Sequence, residues 1–191
     1  MDRINRLSKW IKGLLLLLSL MQLGSYIAVM FSGEYRDGEY AMSINWWGYF
    51  SSFLSVSFES SWQALAENLY SAGLHPGIIL GSVEILPYLF IYYFLFQLFS
   101  LYQQGQVFTS ANFRCLTRIA QVFLVWIFVS LFYPMLVAYF IHVTDLADGV
   151  PGYFTLGSQE LEYALFGLIF YCIGWVMKQA VELQAEAELT I

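Results

Sequence analysis

Four long stretches of apolar residues alternate with polar segments along the chain. They run from about Leu14 to Phe31, from Ile78 to Leu101, from Ile119 to Ile141 and from about Leu161 to Met177. A helix that crosses about 30 Å of hydrocarbon needs roughly 20 apolar residues, and each stretch approaches that length. The pattern predicts an all-α integral membrane protein, in which a bundle of four transmembrane helices forms a single domain over residues 1–191.

The segment between the first two spans covers about 46 residues (32–77), which is long for an unstructured connection. From Trp62 onward, apolar residues recur at the spacing of one helix face, as Leu65, Ala66, Leu69 and Tyr70. We therefore expect a short amphipathic helix in this first extracytoplasmic loop. Such a helix packs on the bundle or lies in the membrane interface; the alternative is a ligand lid or a partner surface.

The composition excludes a soluble globular protein. Hydrophobic residues make up 59% of the chain and charged residues only 12%, whereas about 25% of the residues in an average soluble domain are charged. The formal net charge of -6 also disfavours direct binding of nucleic acid, which requires a basic surface. The lipid bilayer is therefore the expected partner of most of the apolar surface.

The few basic residues predict the orientation in the membrane. Of the eight lysines and arginines, Arg36 alone falls in the loops on one side of the four spans. The other seven lie on the opposite side, namely Arg3, Arg6, Lys9, Lys12, Arg114, Arg118 and Lys178. Because basic residues concentrate in cytoplasmic loops, both termini are expected in the cytoplasm of a multi-pass protein of the bacterial inner (plasma) membrane.

The N-terminal region resembles a signal peptide, with basic residues before the apolar run Leu14–Leu18. No small-residue cleavage site closes this run, and the apolar stretch continues to Phe31. We therefore expect an uncleaved signal anchor, which keeps the number of spans at four.

Two stretches of the chain are similar to a known family. Residues 101–112 (LYQQGQVFTSAN), continued by Arg114–Ile119, and the ending 179–191 (QAVELQAEAELTI) resemble the domain-of-unknown-function 2975 family of small four-span bacterial inner-membrane proteins. Members typically carry basic residues where this chain has Gln103 and Gln104. Family genes often stand beside a small helix-turn-helix regulator, so the resemblance implies a membrane protein that restrains, or senses for, a cytoplasmic DNA-binding partner. No catalytic residues are known for the family, and none is carried over.

Glu84 is the ionisable residue deepest within an apolar stretch, about six residues or 9 Å below the outer end of its helix. A charged carboxylate at the centre of a span costs on the order of 2.5–3.5 kcal/mol, so Glu84 should face the bundle or a wet cavity. With Pro87 and Pro134 at a similar depth, the sequence suggests an outward-facing polar pocket, whose candidate residues are Glu84, Ser82, Tyr88, His142 and Glu162. The alternative is a packing kink with a hydrogen-bonded or snorkelling Glu84.

The predicted cytoplasmic side offers a second candidate region. Gly105 should end the second helix, while the fourth helix has no Gly or Pro after Lys178 and should continue into the cytoplasm. The candidate partner surface consists of Arg114, Arg118, Glu182, Glu186 and Glu188. The alternatives are a solvated helix end and two arginines that anchor the third helix at the lipid phosphates.

No pattern typical of an enzyme or a metal site occurs. His75 and His142 lack ligand spacing, and the chain has no phosphate-binding loop, nucleophile elbow or HExxH sequence. We expect no metal, no cofactor and no enzymatic activity. Two functions remain: an interaction or regulatory protein with a cytoplasmic partner such as a helix-turn-helix regulator, and a small transporter or proton-linked permeation unit centred on Glu84. The second requires a homo-oligomer, for which Gly167 and Gly174 could provide close helix contacts.

Overall fold

The structure is a computed structural model that describes residues 2–36, 39–46, 50–146, 150–154 and 156–189. Most of the described residues are helical. In chain order, the elements are α1 (Asp2–Ser32), β1 (Glu34–Arg36), β2 (Glu39–Trp46), β3 (Phe50–Ser57), α2 (Ser60–Ser71), a π-helical turn (Gly77–Gly81), α3 (Ser82–Glu84), α4 (Leu86–Gln103), α5 (Ser110–Val143) and α6 (Ser158–Leu189).

Four helical segments are long and apolar enough to cross a membrane, which confirms the four predicted spans. They are Ile4–Ser32, Gly77–Gln103, Ser110–Val143 and Ser158–Leu183. Large apolar side chains on them are exposed, among them Leu16, Phe128 and Leu165, as expected of surfaces that contact lipid rather than water. The protein is therefore a multi-pass membrane protein. Each helix extends beyond its apolar stretch because the flanking polar residues are also compatible with helix.

The segment between the first two spans contains a three-stranded antiparallel sheet that the sequence analysis did not predict. Its strand order is β1-β2-β3, and Tyr40 of β2 pairs with Val56 of β3. Both of these side chains are buried. The sheet is followed by α2, which buries Leu65 and Leu69 completely. A helix thus lies where the apolar spacing predicted one, and it directly follows the third strand of the sheet.

The chain divides into two compact units. The sheet-bearing unit comprises Met21–Leu86 and Phe128–Glu160. The tail-bearing unit comprises Met1–Leu20, Pro87–Ile127 and Leu161–Ile191.

Tyr40 is one of the largest fully buried side chains of the sheet-bearing unit. Its ring lies against Gly33 and Gly77, where an added Cβ would come within 3.0 Å of ring carbons. Its hydroxyl is 2.5 Å from Nδ1 of His75. Burial raises the pKa of the Tyr40 hydroxyl above its usual range, with smaller effects from Tyr70 and Glu34. Tyr40 therefore stays protonated and is joined by this hydrogen bond to His75, whose tautomer decides which of the two side chains donates.

The tail-bearing unit has its own core between α4, α5 and α6. Leu98, Cys115 and Leu116 are buried there, against partly buried neighbours that include Phe170 and Met177. This core corrects one expectation from the sequence. A Cβ at Gly167 would lie 3.2 Å from Leu124, and one at Gly174 would lie 3.1 Å from Thr117. Both glycines are thus covered by α5 of the same chain and do not present a bare face to a second copy.

The connection between α4 and α5 is a tight turn. Gly105 adopts a φ of 78°, a left-handed conformation that glycine accepts without steric cost, and α4 ends at Gln103 as predicted. Asn112 is fully buried, and its amide nitrogen donates to the carbonyl oxygens of Gln106 and Val107. The two helices are therefore held as an antiparallel hairpin.

Candidate functional site

Glu84 lies at an irregular point of the second span. The π-helical turn precedes it, α3 ends on it, and α4 begins two residues later at Leu86. Pro87 then removes one helical N–H group. The Oε2 atom of Glu84 is buried and has no hydrogen-bond partner in the described part of the chain. A buried carboxylate oxygen without a partner is costly, and π-helical turns inside helices occur frequently at functional sites.

The other four candidates for the polar pocket are placed differently from Glu84. Ser82 and His142 belong to the same sheet-bearing unit, and both side chains are exposed. Tyr88 and Glu162 belong to the tail-bearing unit; Tyr88 is half-buried and Glu162 is exposed. Of the two carboxylates among these five residues, that of Glu84 thus has a buried oxygen, whereas Glu162 is exposed.

A hydrogen bond near the middle of α5 joins α2 to this span. Pro134 has no N–H group, so the carbonyl of Ser130, four residues earlier, lacks its helical donor. The indole Nε1–H of Trp62 donates to that carbonyl oxygen over 2.9 Å. Trp62 is itself 6% exposed, and its ring stacks on Tyr133 with the centroids 5.2 Å apart. The proline that loosens α5 therefore also creates the acceptor that anchors α2.

The same stretch of α5 holds the beginning of α6 through a buried carboxylate. The Ser130 hydroxyl donates to Oε1 of Glu160 over 2.7 Å, and the backbone N–H of Gly157 donates to Oε2 over 2.7 Å. Glu160 is 2% exposed. Both carboxylate oxygens therefore accept a hydrogen bond, and the bond to Gly157 caps the first turn of a long helix.

Glu160 was not among the site residues predicted from the sequence. Its local signal is its position three residues after Gly157, which is the spacing at which a glutamate caps its own helix. Its second partner, Ser130, is 30 positions away in the chain, and no local pattern reveals that contact.

A further hydrogen bond connects α5 to the π-helical turn. The hydroxyl of Tyr133 donates to the carbonyl oxygen of Ile79 over 2.7 Å. Trp62, Ser130, Tyr133 and Glu160 therefore form one connected network, defined here as the anchor network. It ties α2, α5, the beginning of α6 and the π-helical turn together within the sheet-bearing unit.

Arg114 and Arg118 lie one turn apart on α5, and both are exposed. Arg114 Nε donates to the backbone oxygen of Ser110 over 3.1 Å, and the guanidinium of Arg118 lies 5.7 Å from the ring centroid of Phe94. The first contact holds Arg114 against its own helix, and the second holds Arg118 beside α4 in the tail-bearing unit.

The C-terminal part of α6 continues as helix to Leu189, as expected from its composition. Glu182 is 3.6 Å from Lys178 in an exposed ion pair, and Leu183 is 66% exposed. Glu186 is exposed as well, whereas the side chain of Glu188 lies outside the described residues. We refer to residues 178–189 as the tail helix.

The family model described as "Protein of unknown function (DUF2975)" matches residues 60–191, more than half of the chain. The chain belongs to the DUF2975 family. The matched part begins at α2 and includes Glu84, the anchor network, both arginines of α5 and the tail helix, whereas α1 and the sheet precede it. No curated protein and no solved structure matches this DUF2975 member.

Proposed function

We propose that this DUF2975 member is a non-enzymatic regulatory protein of the bacterial inner membrane, which acts by binding a cytoplasmic DNA-binding regulator through its tail helix. The observation that carries the proposal is the length of α6. Its 32 residues span about 48 Å at 1.5 Å per residue, against about 30 Å of hydrocarbon. An upright α6 therefore extends about 18 Å beyond the hydrocarbon.

The charge of the tail helix favours a partner of this class. Glu182, Glu186 and Glu188 make it acidic, which disfavours adhesion to anionic lipid headgroups. A regulator that binds DNA carries a basic surface. An acidic helix complements such a surface and competes with DNA for it, so binding at the membrane would withdraw the regulator from its operator. The exposed side chain of Leu183 supplies an apolar contact beside these charges.

The test is co-expression with a helix-turn-helix regulator encoded beside the gene, followed by measurement of the regulator in the membrane fraction. The double variant Glu182→Gln/Glu186→Gln should reduce the recovered regulator about tenfold, because two charged contacts across an interface are lost. The matched control is Glu67→Gln/Glu162→Gln, which removes the same charge from two exposed positions outside the tail helix and should change nothing. Equal recovery with the tail variant and the wild type would contradict the proposal.

Glu84 supports a second candidate function, a small oligomeric transporter or proton-linked permeation unit. The specific observation is the buried Oε2 atom, which has no hydrogen-bond partner among the described residues and lies next to a π-helical turn inside a candidate span. Ionisable residues inside spans typically serve ion or proton pathways. A carboxylate oxygen that accepts no structural hydrogen bond is available to take up and release a proton.

This second function predicts a strong effect of Glu84→Gln. In proteoliposomes with an internal pH-sensitive dye, the wild type should carry a proton flux, and the variant should lose it because an amide cannot exchange a proton. Glu67→Gln, at an exposed glutamate of α2 that is not among the five pocket candidates, should keep the flux. Insertion of both variants is checked by membrane fractionation. A wild type without proton flux, or a Glu84→Gln variant with undiminished flux, would refute this function.

A further inference from the structure

The antiparallel hairpin of α4 and α5 encloses a groove in the tail-bearing unit with a volume of about 580 Å³, a size typical of ligand sites. From α4, the groove is lined by Tyr93, Phe96, Gln97, Ser100 and Leu101, which recur at the spacing of one helix face. This wall is mixed. Its aromatic and aliphatic side chains are interrupted by the hydroxyl of Ser100 and the amide of Gln97.

The opposite wall of the groove, which α5 forms, carries its positive charge. It consists of Ala111, Arg114, Cys115 and Arg118, again at the spacing of one helix face. In the described part of the chain, neither arginine lies within 4.0 Å of a carboxylate oxygen. Arg114 uses its Nε and one further nitrogen for Ser110, and a guanidinium has five N–H donors. The groove therefore presents two positive charges with donors left for an anionic ligand.

A second, apolar groove of about 260 Å³ adjoins the first and shares Tyr93 and Phe96 with it. Its other lining side chains include Leu15, Leu16 and Leu89. A charged compartment thus opens next to an apolar one across two shared aromatic rings. The two grooves therefore match the two parts of an amphiphile, a charged headgroup and an apolar acyl chain.

We propose that these two grooves form a binding site for one anionic phospholipid, with its phosphate on Arg114 and Arg118 and an acyl chain along Phe96 into the apolar groove. Arginine suits phosphate because its planar N–H donors can bind two oxygens at once. The site lies at the cationic end of the hairpin, where Lys12 is 4.6 Å from the ring centroid of Phe96 and donates to Gln103. It does not depend on the partner proposed for the tail helix.

The test uses the full chain, purified in detergent and delipidated, with native mass spectrometry to measure the affinity for the first bound lipid. The probes are dioleoylphosphatidylglycerol, dioleoylphosphatidylcholine with the same acyl chains, and glycerol 3-phosphate as a headgroup without chains. The wild type should bind phosphatidylglycerol at least tenfold more tightly than either of the others. Equal affinity for phosphatidylcholine would show a merely apolar groove and overturn the proposal. Equal affinity for glycerol 3-phosphate would show a site for free phosphates and overturn it too.

Variants then locate the site. Arg114→Gln/Arg118→Gln should weaken the binding of phosphatidylglycerol about 30-fold, while the matched control Arg3→Gln/Arg6→Gln should stay within about twofold of the wild type. Ala111→Leu keeps every charge and fills the groove, so it should also weaken binding at least tenfold, which separates loss of the site from loss of folding. An equal loss in the control, or undiminished binding by Ala111→Leu, would overturn the proposal.

Discussion

Replacement of Glu160 by alanine is expected to lower the free energy of unfolding of the protein by about 3 kcal/mol. The carboxylate accepts one hydrogen bond from Ser130 and one from the backbone of Gly157, and it is buried. Alanine leaves the buried hydroxyl of Ser130 and the part-buried N–H of Gly157 without this acceptor, and it also removes the carboxyl group that caps the first turn of α6. The measurement is the midpoint of thermal or denaturant unfolding in detergent.

Glu162→Ala provides the matched control, because Glu162 lies two residues further along the same helix and is exposed. We expect its effect to stay within about 0.5 kcal/mol. A double-mutant cycle of Glu160→Ala with Ser130→Ala should show coupling of about 1 kcal/mol or more, since the two side chains share a hydrogen bond. Equal losses for Glu160→Ala and Glu162→Ala would show that the anchor network does not stabilise the fold.

Replacement of Gly77 by alanine is expected to destabilise the protein by about 2 kcal/mol, a typical cost of overpacking a core. The new Cβ would lie 2.7 Å from two ring carbons of Tyr40. That ring has no room to move, because it is 1% exposed, lies against Gly33 on another side and is hydrogen bonded to His75. The measurement is again the unfolding midpoint, together with the yield of folded protein.

Gly81→Ala tests the same π-helical turn without the clash. Its Cβ would lie 3.1 Å from the terminal methyl group of Met30, a flexible end that can rotate away. Because alanine is favoured over glycine in a helix by about 1 kcal/mol, this variant should be neutral or slightly more stable. If Gly77→Ala were as stable as Gly81→Ala, the packing of Tyr40 against Gly77 would be wrong.

The spans could be predicted from the sequence because lipid imposes a simple requirement, a helix with about 20 apolar residues. The apolar stretches alone do not give the ends of the helices. For example, α5 begins at Ser110, well before the apolar stretch that starts at Ile119. Helix continues through the polar residues between them because they are compatible with helix and Asn112 fixes the preceding turn.

The sheet was not predicted, although the residue pattern of its strands is typical of β-structure. In β2, Tyr40, Met42 and Ile44 alternate with smaller or polar residues, and Leu54 and Val56 do so in β3. A period of two indicates a strand with one buried face, but a search for long apolar stretches does not detect it. The dipeptide Asp37-Gly38 between the first two strands is also typical of a hairpin.

Some features of the candidate sites could likewise be predicted from the sequence, whereas others could not. The inward placement of Glu84 follows from the cost of a carboxylate in lipid, which needs no knowledge of its neighbours. The partners of Trp62 and Glu160 lie 68 and 30 residues away in α5, so they emerge only from the tertiary structure. The lipid groove likewise requires two helix faces to meet, and the sequence alone offered Arg114 and Arg118 as separate anchors.

The most direct measurement of the central claim is photocross-linking in living cells from a photoreactive residue at Leu183, an exposed position on the tail helix. The proposed function predicts a cross-link to a DNA-binding regulator, which disappears with Glu182→Gln/Glu186→Gln. The same residue placed at Leu165, an exposed position within the apolar stretch of α6 that ends at Met177, should give no cross-link to that regulator. Absence of the regulator from the Leu183 products, or an equal yield from Leu165, would contradict the claim that the tail helix binds it.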